Sequence, residues 1–227
     1  MTDITPLLRN RWSPRGYDPD HTLSSQEADL LLEAARWAPS AMNLQPWRFI
    51  MGLRGDPVRA RVDRFVVGHS DWALDASALV VNICRSGEDH LEVAHYDLGN
   101  AVADMCLQAE ALGVHARQFI SFDHRGLSQE FGITAPWTAF TMTAIGRPAA
   151  GLEPAGRQRA DLSELVWPTD LAGARLNRGP APGRSLGCCA RPTPVRERVS
   201  AAAAPPRCRS RRPGCGGAPP ASTPPGG

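Results

Sequence analysis

Apolar residues recur at helical spacing in two long stretches of the chain. The first begins with the capping-box spacing of Ser24 to Glu27 and continues through Ala35, which predicts an amphipathic helix. The second runs from His90 to Gly113 and has a wide apolar stripe that ends at a glycine, which predicts a long helix in the middle of the fold or across a subunit interface. Shorter helices are predicted for Thr5 to Arg11, Asp56 to Val67 and Asp123 to Gly132.

Compact runs of apolar, aromatic and β-branched residues predict strands between these helices. Ala78 to Cys84 is apolar at nearly every position, which is typical of a strand buried on both faces. Three further strands are predicted for Trp47 to Leu53, Val114 to Phe122 and Trp137 to Ile145. Helices before, between and beside these strands predict an α+β layered domain. The sequence has no G-x-G-x-x-G and no P-loop, which argues against nucleotide binding in the Rossmann or Walker manner.

The segment from Pro39 to Pro46 connects the first long helix to the first strand. Its two prolines cannot continue a helix, and they favour an extended backbone in the residues before them. Ser40, Asn43 and Gln45 are therefore expected on a short, stiff loop that offers hydroxyl and amide groups. Such a loop can hydrogen-bond the edge of a planar heteroaromatic ring, or its side chains can simply cap local backbone groups.

Arginines at alternate positions mark both ends of the predicted domain. Arg11, Ser13 and Arg15 point the same way if the backbone there is extended. Two guanidinium groups and a hydroxyl on one side form a good site for a phosphate or another anion, although an exposed basic stretch is the alternative. Arg157 and Arg159 repeat the spacing near the end of the domain.

The composition changes abruptly after Trp167. Residues 1–167 contain 15 Arg and 21 acidic residues, whereas the last 60 residues contain 10 Arg and 2 acidic residues. The later segment is also rich in Pro, Gly and Ala, a composition that cannot bury enough apolar area to offset the entropy lost on ordering. We therefore expect a folded domain over residues 1–167 and a disordered tail over residues 168–227.

Cysteine usage and the N-terminus narrow the class of protein further. Four cysteines lie in the tail without regular ligand spacing or a nearby histidine, so no metal site is predicted. Cys84 and Cys106 lie in apolar segments and are predicted to be buried thiols. No stretch resembles a signal peptide or reaches the ~20 apolar residues of a membrane span. We expect a soluble, cytoplasmic protein.

Five short motifs follow one another along the predicted domain. Arg11 to Arg15 reads R-W-S-P-R, Glu33 to Phe49 reads E-A-A-R-W-A-P-S-A-M-N-L-Q-P-W-R-F, and Asp97 to Ala109 reads D-L-G-N-A-V-A-D-M-C-L-Q-A. Ala144 to Pro148 reads A-I-G-R-P, and Arg157 to Val166 reads R-Q-R-A-D-L-S-E-L-V. In this order they resemble motifs of the FMN-dependent nitroreductases. The first is similar to that family's R-x-S-x-R, the second to its most distinctive signature, and the third to its central helix.

The resemblance implies a nitroreductase-like fold, with a central, mostly antiparallel sheet flanked by helices, in an intertwined homodimer that binds two FMN molecules at the subunit interface. Carried over by position, Arg11, Ser13 and Arg15 would contact the FMN phosphate, ribityl chain and pyrimidine edge. Arg157 and Arg159 would complete the phosphate site. The residues implied around the flavin ring are Pro39, Ser40, Ala41 and Asn43 from the other subunit, and Gln118, Ile120 and Ser121 beside the reactive centre.

Two features depart from the commoner family pattern. Ile120 and Ser121 stand where the family usually has an acidic residue and a glycine, which changes the expected shape of the substrate pocket. The Arg-rich and Pro-rich tail has no counterpart in most family members. We interpret the tail as GC-rich sequence read beyond, or out of frame with, the original terminus.

The activity implied by the resemblance is that of an FMN oxidoreductase. FMN would take a hydride from NADH or NADPH and then reduce nitroaromatics, quinones or related electron-poor acceptors by a ping-pong mechanism. No general acid or base is required, so no catalytic residue is assigned. A flavin-binding or sensing protein without turnover is the alternative, motivated by Ile120 and Ser121. Nucleic-acid binding by the basic tail is less favoured, because the tail has no lysine and no aromatic residue.

Overall fold

The computed structural model describes residues 4–85, 87 and 91–167. The described residues up to Leu165 belong to one compact unit. The expected tail, residues 168–227, lies outside the described residues, so its disorder and the domain boundary after Trp167 remain predictions. Within the described ranges, no helix combines the length and the apolar character needed to cross a bilayer.

Four strands form one antiparallel sheet, which confirms the predicted α+β class. They are β1 (Trp47–Leu53), β2 (Ala78–Arg85), β3 (His115–Phe119) and β4 (Trp137–Gly146), ordered β1-β2-β4-β3 across the sheet. All of β2 except its last residue is buried, as its continuous apolar run predicts. β1 and β3 form the two edges of the sheet.

The register of the sheet places the start of β3 against the end of β4. His115 pairs with Gly146, and Phe119 pairs with Met142. At the other edge, Trp47 of β1 pairs with Cys84 of β2. These pairings put residues 115–119 at an edge of the sheet, open to whatever segment packs beside them.

The described residues form five α-helices. They are α1 (Pro6–Asn10), α2 (Ser25–Arg36), α3 (Pro57–Asp63), α4 (Leu91–Ala111) and α5 (His124–Phe131). α1 packs on α4, and the other four helices pack on the sheet. The predicted capping box of α2 is present. The Ser24 hydroxyl accepts from the Glu27 backbone N–H at 3.2 Å, and the Glu27 carboxylate accepts from the Ser24 N–H at 2.8 Å.

The sheet separates two hydrophobic clusters, because successive side chains of a strand point to opposite faces. α2 and α4 pack on one face, where β2 contributes Ala78, Val80 and Cys84. α3 and α5 lie on the other face, where β2 contributes Leu79, Val81 and Ile83. The molecule is therefore a three-layer sandwich, with α4 covering the sheet on the side of α2.

Two elements end earlier than the sequence pattern predicts. α3 ends at Asp63 and β3 ends at Phe119. Val66 and Phe122, which were expected to continue these elements, pair with each other in an isolated β-bridge. The Ile120 carbonyl accepts from the Phe122 N–H at 3.1 Å, a tight turn that stops β3.

Candidate functional site

A cavity of about 310 Å³ lies where an early and a late segment of the chain meet. Residues 11–15 form one side of it and residues 154–159 form the other. More than a hundred residues separate these segments in sequence. The fold thus brings together the five residues predicted to bind the phosphate end of FMN: Arg11, Ser13, Arg15, Arg157 and Arg159.

The segment from Arg11 to Arg15 alternates as its sequence predicts. Ser13 and Arg15 are exposed and Arg11 is half-buried, whereas Pro14 between them is buried. The chain that follows is fixed by Tyr17, whose hydroxyl donates to a β4 carbonyl at 2.8 Å and whose pKa burial raises. The polar side chains at positions 11, 13 and 15 therefore share one side of the backbone and line the cavity.

The arginines around the cavity differ in what they bind. Nη1 of Arg11 lies 3.5 Å from the Ser13 hydroxyl, and among the described residues Arg15 has no hydrogen-bond or ion-pair partner. Arg157 instead donates to two carbonyl oxygens at the C-terminal end of α1, one of them at 2.6 Å. Arg159 donates to the carbonyl of the residue before it at 2.9 Å. Arg157 thus fastens the late segment to α1, while Arg11 and Arg15 keep donors available for a ligand.

The loop from Pro39 to Pro46 does not line this cavity. It contains a 3-10 turn at Ala41–Asn43, and three of its residues have positive φ: Met42 at 50°, Asn43 at 56° and Gln45 at 47°. Non-glycine residues adopt this left-handed conformation at an energetic cost, and such residues cluster at functional sites. The predicted stiff loop is therefore present, with more backbone strain than its sequence indicated.

Hydrogen bonds across the loop hold this conformation. The Ser40 hydroxyl accepts from the Gln45 backbone N–H at 3.1 Å. The Gln45 side chain donates to the backbone and side-chain oxygens of Asn43, both at 3.1 Å. Asn43 and Pro39 are exposed, whereas Ser40 and Ala41 are half-buried. Some polar groups of the loop are therefore used within it, while the Asn43 residue as a whole is exposed.

Asp97 of α4 fastens this loop to the core. Its carboxylate accepts from the Ala41 backbone N–H at 3.0 Å, and the residue is 4% exposed. Its charge adds to burial in raising the pKa of the Cys84 thiol to about 11. Because Asp97 and Ala41 are 56 positions apart, no local sequence pattern indicates that the loop is the partner of this residue.

The end of β3 carries the remaining predicted residues. Gln118 donates to the Cys106 sulfur at 3.8 Å; burial raises the pKa of that thiol, while this bond and the charge of Arg11 oppose the rise. Ile120 and Ser121 follow β3 and are exposed. Within the described ranges, no acceptor pairs with the backbone N–H of either residue. These two N–H groups are therefore available as donors.

Part of the chain matches a known protein family. Residues 8–71 match the model of the Nitroreductase family, and this range includes both the 11–15 segment and the 39–46 loop. The chain is 26% identical over 178 residues to protein DrgA of Synechocystis sp., covering 64% of this chain and 84% of DrgA. It also resembles a crystal structure described as an oxidoreductase containing FMN, with a TM-score of 0.66 and 26% identity over 76% of this chain and 94% of the other.

Residues 8–71 thus resemble the nitroreductase family, and the fold resembles that of an oxidoreductase that contains FMN. A further relative is the oxygen-insensitive NAD(P)H nitroreductase of Salmonella typhimurium, 32% identical over 91 residues. That match covers 38% of this chain and 42% of the Salmonella enzyme, so the chain spans less than half of that relative's length. The candidate site residues thus fall into two separate groups, the arginine-lined cavity and the strained 39–46 loop.

Proposed function

We propose that this protein belongs to the nitroreductase family and is an FMN-dependent oxidoreductase that uses NAD(P)H to reduce nitroaromatics, quinones or related electron-poor acceptors. The observation that carries the proposal is the cavity between residues 11–15 and 154–159, which four guanidinium groups and a serine hydroxyl line. The phosphate of FMN is a dianion, and guanidinium groups bind phosphate through paired N–H donors. The FMN-containing structural neighbour supports the same cofactor.

The donor set of the cavity fits a phosphate. Arg11 and Arg15 have N–H donors that no described carboxylate or carbonyl uses, and Ser13 adds a hydroxyl between them. None of the described residues that line the cavity is acidic, so the site has no charge that would repel an anion. Arg157 and Arg159 add positive charge from the opposite side.

The chain also offers groups suited to a flavin ring. The N–H groups of Ile120 and Ser121 would donate to ring atoms, and Gln118 would fix the strand that presents them by its contact with Cys106. When bound, FMN supplies the hydride and electron transfer, so the protein needs no general acid or base of its own. The roles of the chain's residues are to bind the phosphate, orient the ring and shape the acceptor site.

The remaining predicted residues imply a second subunit. Pro39, Ser40, Ala41 and Asn43 do not line the cavity of their own chain, and large apolar side chains close to them in sequence are exposed: Trp37 by 74%, Met42 by 78% and Leu44 by 52%. A patch of this kind is typical of a surface that another protein covers. We propose that a second copy covers it and that the loop serves the flavin of that copy. We also propose that this dimer works in the cytoplasm, without a nucleic acid or membrane partner.

The test is the visible spectrum of the purified full chain before and after anaerobic addition of NADH or NADPH. We expect a yellow protein whose flavin absorbance is bleached, and recovered when a quinone or nitroaromatic is added. Replacing both Arg11 and Arg15 by Ala should yield a folded protein without flavin. A colourless wild-type protein that cannot take up FMN would refute the proposal. Bound FMN that neither cofactor reduces would instead favour the sensing alternative that Ile120 and Ser121 suggest.

A further inference from the structure

The edge strand β3 packs directly against the 11–15 segment. The contacts come from His115 and Arg117, whose side chains lie on the same face of β3 because they are two residues apart. They reach Trp12 and Pro14, which are also two residues apart. The residues of the segment that β3 contacts therefore alternate with the three polar residues that line the cavity, and Trp12 belongs to the lining as well.

The His115 ring holds Trp12 by a side-chain hydrogen bond. The Trp12 indole N–H donates to Nε2 of His115 at 3.3 Å, and the two rings lie 5.4 Å apart. On the opposite side of the imidazole, Nδ1 lies 2.8 Å from a Glu110 carboxylate oxygen, although the geometry is not that of a hydrogen bond. An indole nitrogen can only donate, so the contact with Trp12 requires the His115 tautomer in which Nε2 is the acceptor.

Arg117 holds the next contact along the segment. Its Nη1 donates to the Pro14 carbonyl at 3.2 Å, and its guanidinium lies 4.4 Å from the centre of the Trp72 ring. Stacking on an aromatic face fixes the plane of the guanidinium, so its donor has a defined direction. An arginine side chain can only donate, so the carbonyl of the buried Pro14 is the backbone group by which Arg117 can hold it.

Together the two contacts fix which way the segment faces. Holding the Trp12 side chain and the Pro14 carbonyl against β3 fixes the backbone from which the side chains of residues 11, 13 and 15 reach the cavity. We infer that His115 and Arg117 are positioning residues for the phosphate site: they touch no ligand, but set the affinity for the FMN phosphate through Trp12 and Pro14. This inference rests on the proposed function, because it takes FMN as the ligand of the cavity.

FMN and riboflavin differ only in the phosphate, so their affinities distinguish a role at the phosphate site from a role in folding. Residues that position a phosphate site should change the affinity for FMN and leave the affinity for riboflavin almost unchanged. A role in general folding would weaken both. The experiment therefore measures the dissociation constants of both flavins, by quenching of flavin fluorescence, on the full chain stripped of cofactor.

Two variants remove one contact each. His115→Phe keeps an aromatic ring but loses the acceptor, and Arg117→Met keeps most of the stem but loses the donor. Each substitution removes a hydrogen bond that holds the segment carrying Arg11 and Arg15. We therefore expect the FMN dissociation constant to rise about tenfold. The riboflavin constant should change less than about twofold. Arg117→Lys, which keeps the charge and a donor for the Pro14 carbonyl, should recover part of the FMN affinity.

The His115→Phe and Arg117→Met variants need a control substitution at an arginine away from the cavity. Arg125→Met removes an exposed guanidinium on α5 and should change neither constant. If His115→Phe fails to fold, Trp12→Phe removes the same hydrogen bond from the other side and should give the same selective loss. Equal weakening of both flavins, unchanged FMN affinity, or no recovery in Arg117→Lys would overturn the inference. A wild-type chain that does not prefer FMN to riboflavin would instead refute the phosphate site of the proposed function.

Discussion

At the scale of single residues, Arg59 is a buried charge whose guanidinium binds three acceptors of the fold. It is 3% exposed and donates to the Asp63 carboxylate at 2.6 Å and to the carbonyls of Leu74 and Ala76, each at 2.7 Å. Its side chain therefore joins α3 to the loop that leads into β2. The bond to Ala76 is buried and the bonds to Asp63 and Leu74 are partly buried, so water can replace the guanidinium only in part.

Arg59→Met should lower the free energy of unfolding by about 3 kcal/mol, because it leaves buried acceptors and the Asp63 charge without a partner. Arg61→Met is the matched control on the same helix. Arg61 pairs with Glu130 at 2.7 Å but is 44% exposed, so its loss should cost less than about 1 kcal/mol. Urea denaturation of both variants measures the difference, and equal losses would contradict this account of Arg59.

Glu33 gives a prediction on pH. The hydrogen bonds from Arg36 and Trp37 lower its pKa to about 2, from 4.5 in an unperturbed glutamate. A folded-state pKa below the unfolded value means that the stabilisation is present above pH 4.5 and is lost as the pH falls toward 2. The pair is exposed, so the effect on stability is small, but the titration itself is measurable.

Trp37→Phe combined with Arg36→Met should return the pKa of Glu33 toward 4.5 in an NMR titration of its carboxyl carbon. Wild type and Glu33→Gln should differ in the free energy of unfolding at neutral pH and converge as the acid range is entered. A Glu33 carboxyl that titrates near 4.5 in the wild-type protein would show that these bonds do not persist in solution.

At the scale of elements, β1 and α3 approach each other at Gly52. A Cβ built at this position would lie 2.6 Å from the Arg59 Cα and 2.8 Å from its nitrogen. Both are backbone atoms, which cannot move aside as a flexible side chain can. The contact between strand and helix therefore requires glycine at this position.

Gly52→Ala should lower the free energy of unfolding by about 2 kcal/mol or more, since either the strand or the helix must shift. Gly55→Ala is the control: it has positive φ but open space around its Cα, so only backbone strain applies and about 1 kcal/mol is expected. Thermal or chemical denaturation decides between the two mechanisms. A smaller loss at position 52 than at 55 would contradict the close approach.

The loop from Pro39 to Pro46 depends on one residue of α4. Asp97→Leu removes the carboxylate that accepts from the Ala41 N–H, and the Ala41 amide should then exchange its hydrogen about tenfold faster or more. Asp97→Asn keeps an oxygen at this position and should give a smaller increase. Exchange within β2 should stay unchanged in both variants, which shows that the change is local. Unaltered exchange at Ala41 in Asp97→Leu would exclude this anchoring.

Local rules predicted most elements, and non-local contacts explain the exceptions. The capping box at Ser24 and the apolar run of β2 are properties of neighbouring residues, so the sequence alone indicated them correctly. The 3-10 helix at Gly68–Ala73 was not predicted, because no apolar period marks so short an element. α3 and β3 end early because Val66 and Phe122 pair across the fold, which no local pattern encodes.

At the scale of the whole molecule, the candidate site likewise combines local features that the sequence predicts with long-range contacts that it does not. The alternation of Arg11, Ser13 and Arg15 is local and was predictable, whereas the hydrogen bond from Trp12 to His115 joins residues 103 positions apart. The sequence could indicate the ligand chemistry of the cavity from its arginines, but the parts of the fold that hold those arginines become visible only in three dimensions. Likewise, only the three-dimensional structure shows that the 39–46 loop does not line the cavity.

That separation yields a prediction for the dimer. If the loop of one subunit completes the site of its partner, then Asn43→Ala and Arg15→Ala damage different parts of the same composite site. Each variant dimer alone should retain little FMN. When the two variants are co-expressed, half of the dimers combine one subunit of each kind. In such a hybrid, one site carries both substitutions and the other carries none.

About a quarter of all sites should therefore recover wild-type FMN affinity. Differently tagged subunits allow the hybrid dimers to be purified, and their bound flavin can be counted from absorbance. Coexpression of either variant with itself, under both tags, is the control and should yield no recovery. If the loop instead served its own subunit, every site in the hybrid would carry one substitution and no site would recover. Because folding defects would affect each subunit independently of its partner, recovery in the hybrid alone would identify a shared site.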